Sequence, residues 1–360
     1  MKRLALPSMA AVAVLGLSAC GAAPEEEGST AGGGEGTDYK ACIVSDAGGW
    51  DDQSFNQSTK EALDQAVADF GIESAEAQSA GDSDFAPNVD SMVQQGCNLV
   101  IGAGFLLEDA LQSAAEANPD VDFALVDSSF ADADGNPVEL ENGKPLLFNT
   151  AEAAYLGGYL AAGVTETDKV ATFGGIQIPS VAIFMDGFVD GVAAYNEAHG
   201  TEVEVLGWDK DAQNGAFSGD FENVGQGKTL SEQFIAQGAD VIMPVAGPVG
   251  EGAAQAAADA EGTRIIWVDT DGFESTEYGD VMLSSVMKGI TTAVYDTIES
   301  GVNGEFSAEP FVGTIENEGV GLAPYHDHEG DVPAELQTEI DDLRAQIAAG
   351  ELVVESPNAP

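Results

Sequence analysis

The segment between an apolar run and a helical pattern carries side chains suited to ligand binding. Residues 42–57 read CIVSDAGGWDDQSFNQ, in which the apolar run stops, two glycines follow, and apolar residues then recur at helical spacing as far as Gly71. This pattern predicts a strand, a glycine turn and a helix with Ser54 as its N-cap. Ligands of open α/β sheets bind at the carboxyl ends of strands, so this loop offers a set of candidate contacts: Asp46, Trp50, Asp52, Phe55 and Asn56. The alternative is a turn whose Asp and Ser side chains only cap the helix.

Further candidates stand after other apolar runs or in glycine-rich loops. They are Asp127 (after FALV), Phe221 (in GAFSGDFEN), Gly247 (after VIMPVA), Asp269 and Asp271 (after IIWV) and Lys288 (in LSSVMKGITTAVYD). A glycine lets a ligand approach the backbone. Lys288 is one of only eleven Lys and Arg residues and lies among apolar neighbours. The alternatives are core aromatic residues, capping carboxylates and a salt-bridged or snorkelling lysine.

Signals for an enzyme or a cofactor are missing from the sequence. It has no G-x-S-x-G elbow and no Walker loop, and no Cys–His pair stands out. The glycines at 174–175, 187 and 191 lack the order of a dinucleotide fingerprint. We therefore predict a binding protein that is not an enzyme and holds no cofactor.

Two short segments hint at metals but do not match metal-site spacing. Asp132, Asp134 and Asn136 suggest calcium, but Gly135 is misplaced for an EF-hand loop and the distal Glu spacing fails. The segment 325–328, YHDH, offers two His residues two positions apart in a loop, which is too few ligands for zinc. We predict no metal site at either place.

The charge of the chain restricts its partners. The 360 residues carry 63 acidic and 11 basic side chains, for a net charge of −52. A polyanion is repelled by nucleic acid and by anionic membrane surfaces, so neither is an expected partner. The length predicts about two domains.

The N-terminus has the features of an export signal. Lys2 and Arg3 precede a short apolar stretch, and LSACG at residues 17–21 is similar to a bacterial lipoprotein signal. This resemblance implies removal of residues 1–19 and a lipid on Cys20. A plain signal peptide with an incidental Cys is the alternative. Residues 20–38 are acidic and rich in Gly, which predicts a flexible tether.

Two other cysteines, Cys42 and Cys97, stand at the starts of two predicted strands. In doubly wound order these strands are neighbours, so the pair is a candidate disulfide in an oxidising compartment. Two buried free thiols are the alternative.

From Lys40 onward strands and helices alternate, which predicts an α/β fold with two doubly wound lobes. The first series has strands at 40–45, 72–77, 98–103 and 121–127 and helices at 54–70, 85–95 and 107–117; residues 132–144 interrupt it as a surface hairpin or loop. The second has strands at 170–173, 202–207, 241–244, 264–269, 281–284 and 311–316 and helices at 150–164, 180–199, 223–238, 249–261 and 285–300, before a last helix at 333–349. Two lobes form a cleft, where ligands commonly bind.

Four segments resemble one protein family in order and spacing. They are SDAGGWDDQSFNQ, FGGIQIPSVAIFMDGFVDGVAAYN, GKTLSEQFIAQGADVIMPVAGPVGEG and SSVMKG, within residues 39–322. The family is the basic membrane protein (BMP, PnrA-like) family of ABC-transporter substrate-binding lipoproteins, whose characterised members bind nucleosides. The resemblance implies a type I periplasmic-binding-protein fold with three hinge crossings, expected near 148–150, 269–273 and 307–311.

The resemblance also implies domain limits and partners. A substrate-binding domain spans 39–330, with an N-lobe at about 39–148 and 280–306 and a C-lobe at about 149–279 and 307–322, and a C-terminal helix and tail at 331–360. The protein is expected on the outer face of the cell membrane, anchored through Cys20, as a monomer that delivers a nucleoside, expected to be a purine, to ABC permease subunits.

A nucleoside needs aromatic faces for its base and polar partners for its base edge and ribose diol. The resemblance implies stacking of the base between Phe221 and either Phe55 or Trp50. It implies Asp127 on the base, and Lys288 with Asp271 or Asp269 on the ribose. The alternatives are a binding protein for another solute such as a sugar, a sensor lipoprotein and a surface nucleoside hydrolase.

Overall fold

Short apolar runs alternate with amphipathic segments along the chain, and the runs pair into sheets covered by the helices between them. The computed structural model describes residues 38–132 and 136–360. The signal segment, the tether, Cys20, Asp134 and Gly135 lie outside the described residues.

The strands of the described residues are β1 (Lys40–Ser45), β2 (Glu73–Ala77), β3 (Leu99–Ala103), β4 (Asp122–Val126), β5 (Gly143–Phe148), β6 (Lys169–Gly174), β7 (Glu204–Leu206), β8 (Trp208–Asp209), β9 (Asn214–Gly215), β10 (Val241–Val245), β11 (Arg264–Asp269), β12 (Met282–Lys288), β13 (Phe311–Gly313) and β14 (Val320–Leu322). The helices are α1 (Phe55–Phe70), α2 (Asp82–Gln94), α3 (Glu108–Ala117), α4 (Thr150–Val164), α5 (Pro179–His199), α6 (Val224–Ala236), α7 (Val249–Asp259), α8 (Gly272–Ser275), α9 (Ile290–Val302) and α10 (Ala334–Ala348). Short 3-10 turns occur at Phe105–Leu107, Gly279–Val281 and His326–Asp331.

Each lobe is built on one six-stranded sheet. The first lobe has the order β13-β5-β4-β3-β1-β2, and the second has β14-β12-β11-β10-β6-β7. Neighbouring strands are parallel, except that β14 runs antiparallel to β12. The predicted α/β class with two doubly wound sheets is therefore confirmed, including the placement of β1 between β2 and β3.

Three clusters of buried apolar side chains hold these layers together. One packs helices α2 and α3 on the first sheet and includes Phe123, and a second packs α6 and α7 on the other sheet and includes Trp267. The third and largest cluster contains side chains from both lobes, from Ile43 on β1 to Val286 on β12. The two lobes therefore share a continuous apolar core as well as forming a cleft.

The lobe limits expected from the sequence differ from the observed ones at the end of the chain. Strand β12 pairs with β11 in the second sheet, whereas residues 280–306 were expected in the first lobe. Strand β13 pairs with β5 in the first sheet, whereas it was expected in the second. Helix α9 packs on α1 of the first lobe. Strand–helix alternation does not determine which sheet an edge strand joins, and this explains the error.

The chain consequently crosses between lobes at 148–150, at 288–290 and at 313–320. The first crossing lies where it was expected, and the other two replace the expected positions 269–273 and 307–311. Backbone N–H groups tie the crossings together: Asn149 N donates to Gly313 O and Gly289 N donates to Gly319 O, both at 2.8 Å. Glu152 adds a further link, since its Oε2 accepts from Ile315 N at 2.7 Å.

Some elements also differ from the sequence-based prediction. Residues 285–288 belong to β12, although they were expected to begin a helix. Strands β5 and β14 were not expected, because β5 follows the irregular segment 132–144 and β14 has only three residues. The change in β12 is important because it places Lys288 at the carboxyl end of a parallel strand.

Cys42 and Cys97 are joined by a disulfide, with their Cα atoms 6.0 Å apart. Cys42 lies on β1, and Cys97 lies in the turn before β3, which pairs with β1. The bond therefore links β1 to the segment that leads into its neighbour β3.

Helices α4 and α5 cross with their backbones in direct contact. A Cβ added to Gly158 would lie 2.0 Å from Phe188 O, and one added to Gly191 would lie 1.9 Å from Tyr155 O. Side chains cannot be accommodated at such distances, so these glycines are required for the packing of the second lobe.

Replacing Gly158 with Ala should destabilise the protein by about 3 kcal/mol or more, because the new methyl group must push the two helix backbones apart. Gly225→Ala is the matched control: its Cβ would meet only Asn223 Oδ1 at 3.4 Å near the start of α6. This control should be neutral or stabilising by up to about 1 kcal/mol. Urea denaturation of both variants tests this, and equal stabilities would contradict the packing argument.

Candidate functional site

A cavity lies between the lobes, at the carboxyl ends of strands from both sheets. It is partly open to solvent, and about 540 Å³ of space free of protein atoms, open solvent included, lies within its outline. Its lining comes from strand ends and the loops that follow them, and from the start of α5: Asp46, Ala47, Asp52, Phe55, Asn56, Gly104, Phe105, Asp127, Ile178, Ser180, Val181, Phe184, Phe221, Val245, Ala246, Gly247, Pro248, Val268, Asp269 and Lys288.

The polar centre of the cavity is an ion cluster that spans the two lobes. Lys288 at the end of β12 pairs with Asp127, which follows β4 in the first lobe, and its Nζ lies 3.3 Å from Asp269 Oδ1. The Lys288 side chain is only 3% exposed. Burial disfavours the ammonium, but the carboxylates of Asp127 and Asp269 outweigh this effect and raise the pKa of Lys288. The lysine therefore stays charged inside the cavity.

The backbone directs both carboxylates toward this lysine. Asp127 and Asp269 each follow a parallel strand and adopt the left-handed conformation, with φ angles of 66° and 69°. Residues other than glycine rarely adopt this conformation unless the surrounding structure imposes it. Two such residues facing one cation are typical of a functional site rather than of chance turns.

Aromatic rings flank the same ammonium. Lys288 Nζ lies 5.1 Å from the centroid of the Phe55 ring and 4.9 Å from that of Phe184, both within the range of cation–π attraction. The Phe221 ring lies against Gly175, where an added Cβ would approach it to 2.3 Å. The cavity therefore combines flat apolar surfaces with a charged centre.

Asp52, rather than Ser54, caps helix α1. The Asp52 carboxylate accepts from the backbone N–H groups of Ser54, Asn56 and Gln57 at 2.7–3.1 Å. Ser54 stands at the N-cap position but makes no capping bond. Burial raises the pKa of Asp52 to about 6, against the lowering effect of these three bonds.

Asn56 presents an unpaired acceptor to the cavity. Its Nδ2 donates to Ala47 O at 2.8 Å, which fixes the orientation of the amide. Its Oδ1 is buried and has no hydrogen-bond partner within residues 38–132 and 136–360. A buried acceptor without a partner is costly, so a ligand that donates a hydrogen bond here would be favoured.

Asp46 lies at the first-lobe wall of the cavity, close to Gly104. A Cβ on Gly104 would lie 1.8 Å from Asp46 Oδ2, so the carboxyl group can pack here only against a glycine. Burial, together with the nearby charges of Asp52 and Asp127, raises the pKa of Asp46 to about 8, although hydrogen bonds from Ala47 and Asn56 oppose the shift. Asp46 is therefore largely protonated at neutral pH and can donate a hydrogen bond.

A two-lobed α/β protein with a charged, aromatic cleft has the architecture of solute-binding proteins, and comparison with known proteins decides the family. Residues 40–357 match the family model described as ABC transporter substrate-binding protein PnrA-like. The chain belongs to this family.

Individual relatives agree with this assignment. The chain is 29% identical to the ABC transporter nucleoside-binding protein BmpA of Lactococcus lactis, covering 97% of this chain and 98% of that protein. It is 28% identical to basic membrane protein A1 of Borrelia garinii, covering 88% of each chain.

Solved structures support the fold. A solute-binding protein of an ABC transporter system from Aeropyrum pernix K1 superimposes with a TM-score of 0.77 at 23% identity, covering 88% of this chain and 94% of that one. The arabinose-binding protein AraP of Geobacillus stearothermophilus gives a TM-score of 0.58 at 14% identity, covering 82% and 100%. The structure is that of a type I solute-binding protein.

The cavity of this PnrA-like protein brings together most of the residues singled out in the sequence. Those that line it are Asp46, Asp52, Phe55, Asn56, Asp127, Phe221, Gly247, Asp269 and Lys288. Two do not line it. Trp50 packs against the apolar core. Asp271 caps α8 by accepting from Phe273 N, and it also lies 2.7 Å from His326 Nε2.

The apolar part of the lining was not predicted from the sequence. Phe105, Ile178, Val181, Phe184 and Pro248 all belong to it. Apolar side chains give no chemical signal that distinguishes a cavity wall from a core. The run GGIQIPSVAIF was the available signal for residues 178–184, since it is one of the segments that carried the family resemblance.

No metal site is formed by the described part of the chain, where no three His, Cys, Asp or Glu side chains are grouped to hold an ion. His326 and His328 lie apart from the cavity and contact Asp271 and Asp331 instead. Among the helices of residues 38–132 and 136–360, none combines the length and apolar composition needed to cross a bilayer.

The raised pKa of Asp46 predicts a pH-dependent stability that one substitution should remove. In the folded protein this carboxyl group holds its proton up to about pH 8, whereas the unfolded chain loses it near pH 4. The free energy of unfolding should therefore fall as pH rises between these values, by about 1.4 kcal/mol per unit of pKa separation at most.

The free energy of unfolding of Asp46→Asn should depend less on pH than that of the parent protein. The difference between the two free energies should therefore shift in favour of the variant from pH 5 to pH 8. Urea denaturation of the ligand-free protein at several pH values measures this. Asp51→Asn, an exposed carboxylate of the same loop, is the control and should follow the parent curve. Parallel curves for Asp46→Asn and the parent would show that Asp46 is ionised in the folded state.

Proposed function

We propose that this chain is a lipid-anchored, extracytoplasmic solute-binding protein that binds a nucleoside, with a purine base expected, and delivers it to an ABC permease. The observation that carries the proposal is the composition of the cavity: aromatic faces surround a buried Asp–Lys–Asp cluster and an unpaired amide acceptor. The name of the Lactococcus lactis relative, a nucleoside-binding protein, points to the same ligand.

The polar groups suit a ligand that is rich in hydrogen-bond donors. We assign the base to the space between Phe55 and Phe221, with Asp127 and Asn56 at its polar edge. We assign the ribose hydroxyl groups to Asp269 and Lys288, because a carboxylate and an ammonium can accept from and donate to a diol. Asp269 replaces Asp271 in this role, since only Asp269 reaches the cavity.

The charge of the cavity favours an uncharged ligand over a phosphorylated one. Lys288 is the only Lys or Arg in the lining, and Asp127 and Asp269 already compensate its charge. Asp52 adds a further carboxylate to the lining, and Asp46, which is largely protonated at neutral pH, adds no positive charge. A phosphate would enter without an unpaired cation to receive it.

Membrane attachment would come from a lipid on Cys20, which lies outside the described residues. The acidic segment 20–38 would then separate the lobes from the membrane, which is consistent with the strong negative charge of the chain.

Calorimetric titration of the purified full-length protein with adenosine, guanosine, inosine, uridine and ribose tests the proposal. A nucleoside should bind saturably, and Phe221→Ala should weaken it by about 10- to 100-fold, the range for loss of a base–aromatic stack. Phe217→Ala is the matched control, because Phe217 packs on Trp208 and does not line the cavity. Binding of ribose alone, with no effect of Phe221→Ala, would indicate a sugar-binding protein.

Because the lining has no uncompensated cation, nucleotides should bind more weakly than nucleosides. The 5′-monophosphate of the best-bound nucleoside should bind at least about 100-fold more weakly, since placing like charges together costs several kcal/mol. Competition titration at two salt concentrations measures this, and added salt should reduce the difference. Equal affinities would mean that the phosphate remains outside the cavity.

A further inference from the structure

Hydrogen bonds join the two lobes directly beside the cavity. Ser54 Oγ lies 2.8 Å from Asp269 Oδ2 and 3.1 Å from Val268 O, and its hydroxyl group can donate to either. Thr270 Oγ1 donates to Gln53 O at 2.9 Å. Residues 53–54 precede α1 in the first lobe, whereas residues 268–269 end β11 in the second and Thr270 follows them. We call these five residues the cross-lobe latch.

The hydroxyl group of Ser54 is available for this contact because Asp52 performs the capping of α1. Ser54 is fully buried and does not line the cavity. Its side chain therefore acts on the second lobe and not on a ligand. A hydrogen bond from a buried hydroxyl group to a carboxylate is stronger than an ordinary hydrogen bond at the surface.

The backbone on both sides of the latch adopts an uncommon conformation. Gln53 has a φ of 55° and Asp269 a φ of 69°, both in the left-handed region. Residues with side chains keep this conformation only where their surroundings impose it. Here it turns the Gln53 carbonyl and the Asp269 carboxylate toward the opposite lobe, so the contact depends on the local fold of both segments.

We propose that the cross-lobe latch sets the rate of ligand release, with Ser54 as the residue that positions Asp269. Separation of the lobes widens the exit for a ligand bound between them, and this separation breaks the bonds made by Ser54 and Thr270. Ser54 also fixes the Asp269 carboxylate between the first lobe and Lys288. The inference rests on the proposed function only for the identity of the ligand.

Removing the latch should change dissociation more than association. The double variant Ser54→Ala, Thr270→Val should release ligand about 10- to 100-fold faster, the range expected for loss of hydrogen bonds that include one to a charged group. The association rate should change only a few-fold, because the open form needs no latch. If the latch only stabilised the fold, the double variant would melt at a lower temperature, but its dissociation rate would not increase more than its association rate changes.

Two measurements on the purified full-length protein test the proposal. Stopped-flow fluorescence with adenosine, guanosine and inosine gives the association and dissociation rates. Small-angle X-ray scattering of the ligand-free protein gives the radius of gyration, which should be larger in the double variant. Thr291→Val is the matched control: Thr291 Oγ1 donates to Ser58 O at 3.1 Å, but both residues belong to the first lobe.

The outcomes separate this proposal from the proposed function. A dissociation rate equal to that of Thr291→Val would overturn the latch. If the parent protein binds none of these nucleosides, the ligand assignment fails and scattering alone decides. In that case a larger radius of gyration in the double variant supports the latch, and an unchanged one overturns it.

Discussion

The arrangement of the cleft depends on one buried ammonium group. Lys288 comes from the second lobe and compensates carboxylates of both lobes, Asp127 from the first and Asp269 from the second. Without a cation here, two nearby carboxylates would be buried in a medium of low dielectric constant, which is strongly unfavourable. The lysine thus makes it possible to bring the carboxyl ends of two sheets together. It also leaves the lining of the cavity without an uncompensated positive charge.

Local patterns allowed the sequence to predict most of the strands and helices and several residues at strand ends. Asp127 and Asp269 were identifiable because each directly follows an apolar run. The lobe limits were not predictable in this way, since the membership of β12 and β13 depends on pairing between distant segments. The run that contains Lys288 satisfies both strand and helix patterns, so the sequence placed this residue on a helix. The structure places it at the end of a strand.

Side-chain direction explains which candidates fall outside the cavity. Asp269 and Asp271 are two residues apart, and both could have faced the ligand, but the left-handed turn at Asp269 leaves Asp271 to cap α8. Trp50 follows two glycines with positive φ angles, so its direction could not be inferred from spacing. Conversely, Phe184 resembles a core residue in the sequence. Only the packing of α5 places its ring beside Lys288.

The distribution of contacts between the lobes indicates how the cleft can open. Around the crossings, the lobes share a continuous apolar cluster and backbone hydrogen bonds among Asn149, Gly313, Gly289 and Gly319. Separating that core would expose many apolar side chains, each worth about 1.5–3 kcal/mol when fully buried. Next to the cavity, the lobes are joined by the hydrogen bonds of Ser54 and Thr270 and by the Lys288–Asp127 ion pair. Water can replace an ordinary hydrogen bond at a net cost of only about 1 kcal/mol. Opening should therefore keep the apolar core and break the polar contacts. This difference favours a hinge motion at residues 148–150, 288–290 and 313–320 over separation of the lobes as whole bodies.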